Sequence, residues 1–145
     1  MKKFFLIAGM VVLAWACKKD EYQTNPKISI KSITPTRVQP GSAMVTILRF
    51  TDKEGDVGGG QIIVIRNRLN RRPLASNYDK TDTIRNAVPD FPKESLGEIN
   101  VTLEYSNFLK ESPIENDTLI LKFAVQDKKG NKSDTISTDK IVILQ

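Results

Sequence analysis

Histidine is absent from the 145 residues, and cysteine and tryptophan occur once each, at Cys17 and Trp15. Without histidine there is no Ser-His-Asp or Cys-His relay and no histidine-ligated zinc. The commonest acid–base group near neutral pH is missing as well. A single cysteine cannot close an internal disulfide or form a C-x-x-C pair. G-x-S-x-G and glycine-rich phosphate loops are also lacking. Neither sign of charge dominates. The net charge is +5, from 22 Lys and Arg against 17 Asp and Glu, and it drops to +3 once Lys2 and Lys3 are left out. That is too mild to argue for nucleic acid. The apolar run over residues 4–13 has ten residues counting its glycine, and continuing it through Cys17 makes 14, still short of the roughly 20 that a membrane-spanning helix needs.

That stretch nevertheless carries the clearest signal in the chain. Lys2 and Lys3 precede it, and Ala14-Trp15-Ala16 follows it, with small residues first and third before Cys17. Positive, apolar, small is the layout of a secretory signal peptide. Lys18, Lys19, Asp20 and Glu21 come next and do not belong in lipid. The segment Leu13-Ala14-Trp15-Ala16-Cys17 resembles the lipobox of bacterial lipoproteins, with Ala14 where leucine is usual. The resemblance implies removal of residues 1–16 and a covalent lipid on Cys17, which would anchor the protein to a membrane. Acylation would also dispose of a lone thiol in an oxidising compartment. Ala14-Trp15-Ala16 fits the A-x-A site of ordinary signal peptidase too, which would release a soluble protein with a free Cys17.

The run Cys17-Lys18-Lys19-Asp20-Glu21 resembles the lysine-plus-acidic export signal of surface lipoproteins in the Bacteroidetes phylum. That implies an outer-membrane protein displayed on the cell surface. The alternative for Lys18, Lys19, Asp20 and Glu21 is a charged, solvated tether.

Residues 17–26 read as that tether, and residues 27–145 as one domain. Strand signals recur between turn residues. They predict strands over residues 27–33, 43–50, 61–67, 82–87, 98–105, 118–126 and 134–144, the last broken near Thr138 and Asp139. Ile99, Val101, Leu103 and Tyr105 alternate with polar residues, as do Leu119, Leu121, Phe123 and Val125 with their neighbours, so one face of each strand meets a core. Residues 67–97 are weakly patterned, and residues 91–96 could form one helical turn.

The pattern predicts an all-β fold, a single antiparallel β-sandwich of about seven strands, with a small barrel as the alternative. Val125-Gln126-Asp127-Lys128-Lys129-Gly130-Asn131 and Phe50-Thr51-Asp52-Lys53-Glu54-Gly55-Asp56-Val57-Gly58 resemble loops of immunoglobulin-like or fibronectin-III-like domains in small Bacteroidetes lipoproteins. In that topology Asp52, Glu54, Asp56 and Asp127 share the end where the tether enters, and Arg66 to Arg72 point the other way.

Two constellations could carry chemistry. Asp52, Glu54 and Asp56 lie at i, i+2 and i+4 on a glycine-rich loop, with Asp127 expected nearby. Hard oxygen donors suit calcium, whereas a solvated turn paired to Lys53, Lys128 or Lys129 is the favoured reading, with no metal. Arg66, Arg68, Arg71 and Arg72 offer four guanidinium groups for phosphate, sulfate or carboxylate, or else keep a strand end soluble. Nothing selects a catalytic carboxylate pair. The expected function is therefore an envelope lipoprotein that binds a protein or glycan partner, or serves an assembly, with no cofactor beyond its lipid. A small carboxylate-based envelope hydrolase is the alternative.

Overall fold

The structure, a computed structural model, describes residues 24–78 and 81–145. The signal segment, Cys17 and the Lys18, Lys19, Asp20, Glu21 run lie outside the described residues. Among the described residues, no helix is long and apolar enough to cross a membrane.

Among the described residues nine strands follow one another: β1 (Lys27–Thr34), β2 (Arg37–Val38), β3 (Ala43–Thr51), β4 (Gln61–Arg68), β5 (Thr83–Ala87), β6 (Leu96–Glu104), β7 (Asp117–Gln126), β8 (Ile136–Ser137) and β9 (Ile141–Ile143). They form a three-stranded sheet in the order β1-β3-β6 and a larger sheet in the order β2-β9-β7-β4-β5, with β8 also on β7. Every pairing is antiparallel except that of β2 with β9, which is parallel. The all-β expectation holds. The expected count of about seven strands and the purely antiparallel sheet do not. β2 is a two-residue strand with no periodicity to announce it, and the final strand is split in two.

The split has a local cause. Thr138 accepts a hydrogen bond from the Leu121 amide through Oγ1 at 3.1 Å, while its own amide donates to the Leu121 carbonyl at 2.9 Å. A side chain thus takes over one rung of the ladder between β8 and β9.

One apolar core receives side chains from both sheets. Met44, Leu48 and Phe50 of β3 and Ile99, Val101 and Leu103 of β6 come from one side; Ile62 and Val64 of β4, Leu119, Leu121, Phe123 and Val125 of β7, and Ile141 and Ile143 of β9 come from the other. Burying each such side chain stabilises the fold by about 1.5–3 kcal/mol before conformational entropy is counted. In β1 the inward residues Ile28, Ile30 and Ile33 break strict alternation, and a register shift between Ile30 and Ser32 returns Ile33 to the core face.

Two expectations for the loops differ from what is found. Tyr105 does not close β6 but opens a single π-helical turn, Tyr105–Leu109, which buries Phe108 and Leu109. Residues 91–96 form no helical turn; Phe91 instead stacks on Phe50, ring centroids 5.9 Å apart, and covers one end of the core.

Candidate functional site

Lys27 at the start of β1 pairs with Thr51 at the end of β3. The acidic loop that follows Thr51 therefore sits where the chain enters the domain. This loop is held from several sides. The Asp52 amide donates to the Ser95 carbonyl at 2.9 Å, the Glu94 amide to the Gly55 carbonyl at 3.2 Å, and the Lys128 amide to the Asp56 carbonyl at 3.1 Å. Val57 is fully buried and pins the loop to the core. Two glycines make the path feasible. Gly55 adopts φ +66°, and at Gly60 a Cβ would come within 2.1 Å of the Gln126 carbonyl oxygen.

This geometry removes the acids from solvent, contrary to a solvated turn. Asp52 is 0% exposed, Asp56 9% and Asp127 4%. One carboxylate oxygen from each lies within 4.8 Å of the others. Asp52 Oδ2 accepts from the Asp56 amide at 2.9 Å. Asp127 is oriented by the amides of Lys129 and Asn131 and by the Asn131 side chain, each at 2.8 Å. Asp52 Oδ1, Asp56 Oδ1 and Glu54 Oε2 are buried without a hydrogen-bond partner. Of the lysines expected nearby, Lys129 reaches Asp56 at 3.2 Å, whereas Lys128 pairs with Asp90 at 2.6 Å.

Burial pushes the Asp52 carboxyl above its ordinary range; the adjoining Asp56 and Asp127 carboxyls add to this, and the Asp56 amide offsets it only in part. Asp56 is itself pushed up by burial, yet Lys129 and Asp52 hold it below its ordinary value. Lys129 is raised, chiefly by Asp56.

The arginines lie at the opposite end and do not act as one group. Ile62, Val64 and Arg66 share the inward face of β4, so Arg66 follows the core parity into the protein and is 3% exposed. Its guanidinium meets Glu111 at 2.6 Å, donates to the Phe108 carbonyl and lies 4.9 Å from the centroid of the Phe108 ring. Arg68 donates Nε to Asp117 and a terminal nitrogen to Glu115, both at 2.6 Å, and another to the Arg72 carbonyl. Arg66 and Arg68 are thus corrected from external anion ligands to internal struts; Arg71 and Arg72 stay exposed.

Sequence reasoning missed the partners in this network. Glu111 is 45 residues from Arg66 and Asp117 49 from Arg68, and no local pattern links them. Parity along β4 was the one available signal for Arg66. Asp117 also accepts the amides of Glu111 and Ser112 at 2.9 and 2.8 Å, which fixes the loop between the helical turn and β7. Burial pushes its carboxyl up, but Arg68, these amides and Lys110 outweigh that and hold it below the usual range.

Two adjoining clefts open beside this network. One, of about 460 Å³, includes Tyr78, Tyr105, Lys110 and Gln145; the other, of about 240 Å³, includes Arg68, Arg72, Leu74, Tyr78 and Ile114. Ile114, which lines the smaller cleft, is 64% exposed. Asp52, Asp56 and Asp127 line neither cleft.

No protein-family model matches the chain, and no curated protein matches it. Among solved structures, the chain is similar to Spo0M, a sporulation control protein of Bacillus subtilis, at 10% identity and a TM-score of 0.44 over 83% of this chain and 50% of that one. The chain spans half the length of that protein, and a likeness of this size assigns neither a fold family nor a function.

Proposed function

We propose that this protein is an outer-membrane lipoprotein of the Bacteroidetes type, acylated at Cys17, whose single immunoglobulin-like domain works by binding or as a part of an envelope assembly. One observation carries the reading: Cys17 stands at the end of a signal-type segment, with nine residues between it and the first strand. Those nine residues reach at most about 30 Å, enough to hold a folded domain just clear of a lipid surface.

The strand order supports the finer description of the domain. A three-stranded β1-β3-β6 sheet and a β2-β9-β7-β4-β5 sheet, with β5 on β4 rather than on β6, is the strand order a fibronectin-III-like sandwich would have. Because β1 begins beside the acidic loop, the anchor directs that end toward the membrane. Arg71, Arg72, Tyr78 and Ile114 then face outward, and a partner offering carboxylate or phosphate groups beside apolar surface suits them. Catalysis is the weaker reading, since the three clustered aspartates are buried and open onto neither cleft at the far end. Metabolic labelling with a fatty-acid probe tests the anchor: wild-type protein should incorporate label, and Cys17→Ala should lose it and accumulate as unprocessed precursor. Normal processing of Cys17→Ala with release of soluble protein contradicts the reading.

A further inference from the structure

We propose that Asp52, Asp56 and Asp127, with Glu54 beside them, bind one divalent cation of the calcium class, and that the ion ties the two sheets together at the end where the tether enters. Asp52 directly follows β3 of the three-stranded sheet, and Asp127 directly follows β7 of the larger one. Asp56 lies on the loop that crosses from β3 to β4. An ion held by all three would therefore bridge both sheets and their connection.

The distances permit it. Oxygens that ligate calcium lie about 2.3–2.6 Å from the ion, so two of them are at most about 5 Å apart; here one oxygen from each aspartate lies within 4.8 Å of the others. Two of the three aspartates also carry an unsatisfied oxygen. Asp52 Oδ1 and Asp56 Oδ1 are buried with nothing to accept from, on residues 0% and 9% exposed. Leaving charged acceptors buried and unsatisfied is costly, and a cation meets that need. Glu54 Oε2 is a third such atom.

The donor set fixes the class of ion. Carboxylates alone, with no sulfur or imidazole, select hard cations. Three carboxylates against the one ammonium of Lys129 leave two negative charges over. Lys129 is 58% exposed in its side chain and pairs with the outer acid, Asp56, at 3.2 Å. Its exposed ammonium can withdraw into solvent when a cation enters. Asp127 already has both oxygens oriented by amides and by Asn131, as outer hydrogen bonds orient the ligands of metal sites. The competing arrangement is a proton shared between Asp52 and Asp56.

The test uses the full chain in detergent, stripped with EGTA, then titrated with calcium chloride and separately with magnesium chloride. Calorimetry should give one calcium per chain, and 2 mM calcium should raise Tm by about 5–10 °C, with a smaller shift from magnesium. Asp52→Asn and Asp56→Asn should weaken calcium binding at least about tenfold and abolish the Tm shift; Asp52→Asn should also melt in EGTA no lower than wild type, because burial and the neighbouring carboxyls already disfavour its charge. Lys129→Met should bind calcium several-fold more tightly, since the competing ammonium is gone. The proposal is overturned if wild type shows no binding heat and no Tm change up to 10 mM calcium. It is equally overturned if both asparagine variants bind calcium as wild type does, or if Lys129→Met loses stability that calcium does not restore.

Discussion

The Arg66 guanidinium meets the Glu111 carboxylate at 2.6 Å inside the protein, against the Phe108 ring at the end of the core. Their side chains are 1% and 6% exposed, so neither has water to fall back on. Removing one partner of such a pair typically costs about 3–5 kcal/mol. Arg66→Ala and Glu111→Ala should each lose that much in urea unfolding. The double variant Arg66→Met with Glu111→Leu should recover most of it, because two apolar groups leave no orphaned charge.

The same network makes the fold acid-sensitive. Asp117 has a folded-state pKa below its ordinary value despite its burial, owing to Arg68, the Glu111 and Ser112 amides and Lys110. A depressed carboxyl contributes stability that is fully present above its unfolded value, about 3.9, and is lost as pH falls through the folded one. Urea midpoints should therefore hold from pH 7 to about 5 and drop below about pH 4. Asp117→Asn should lower the midpoint at pH 7 and flatten the acid limb.

The four arginines should separate by experiment. Arg68→Ala breaks contacts to Asp117 and Glu115 and should cost about 1–3 kcal/mol. Arg71→Ala and Arg72→Ala should stay within about 0.5 kcal/mol of wild type, the second because Arg68 uses only the Arg72 backbone carbonyl. Thermal melts of the three single variants check this ranking.

Much of the fold was legible because strands with one buried face repeat every second residue. Ile99, Val101 and Leu103 declared β6, and Leu119 to Val125 declared β7. Proximity of Asp127 to the acidic loop also followed from which strand ends meet. Burial of that loop did not follow, because it depends on Val57 reaching the core and on Gly60 passing the Gln126 carbonyl. β2 was invisible, being two residues that pair in parallel with β9. Arg66 was read by its charge, though its parity with Ile62 and Val64 pointed inward, and its partner Glu111 lies in an unpatterned loop. Residue type describes what a side chain can do; only the packing decided which arginines remain free to meet a partner.

Display at the cell surface has its own test. Protease added to intact cells should degrade the wild-type protein. Replacing Lys18, Lys19, Asp20 and Glu21 with alanine should protect it by retention inside the outer membrane. Equal degradation of both forms means those four residues are only a tether.

Mass spectrometry of the N-terminal peptide from membrane-extracted protein reads the lipid on Cys17 itself. The chain should begin at Cys17 and carry thioether-linked diacylglycerol. A chain that begins at Cys17 with an unmodified thiol, recovered in the soluble fraction, would contradict it.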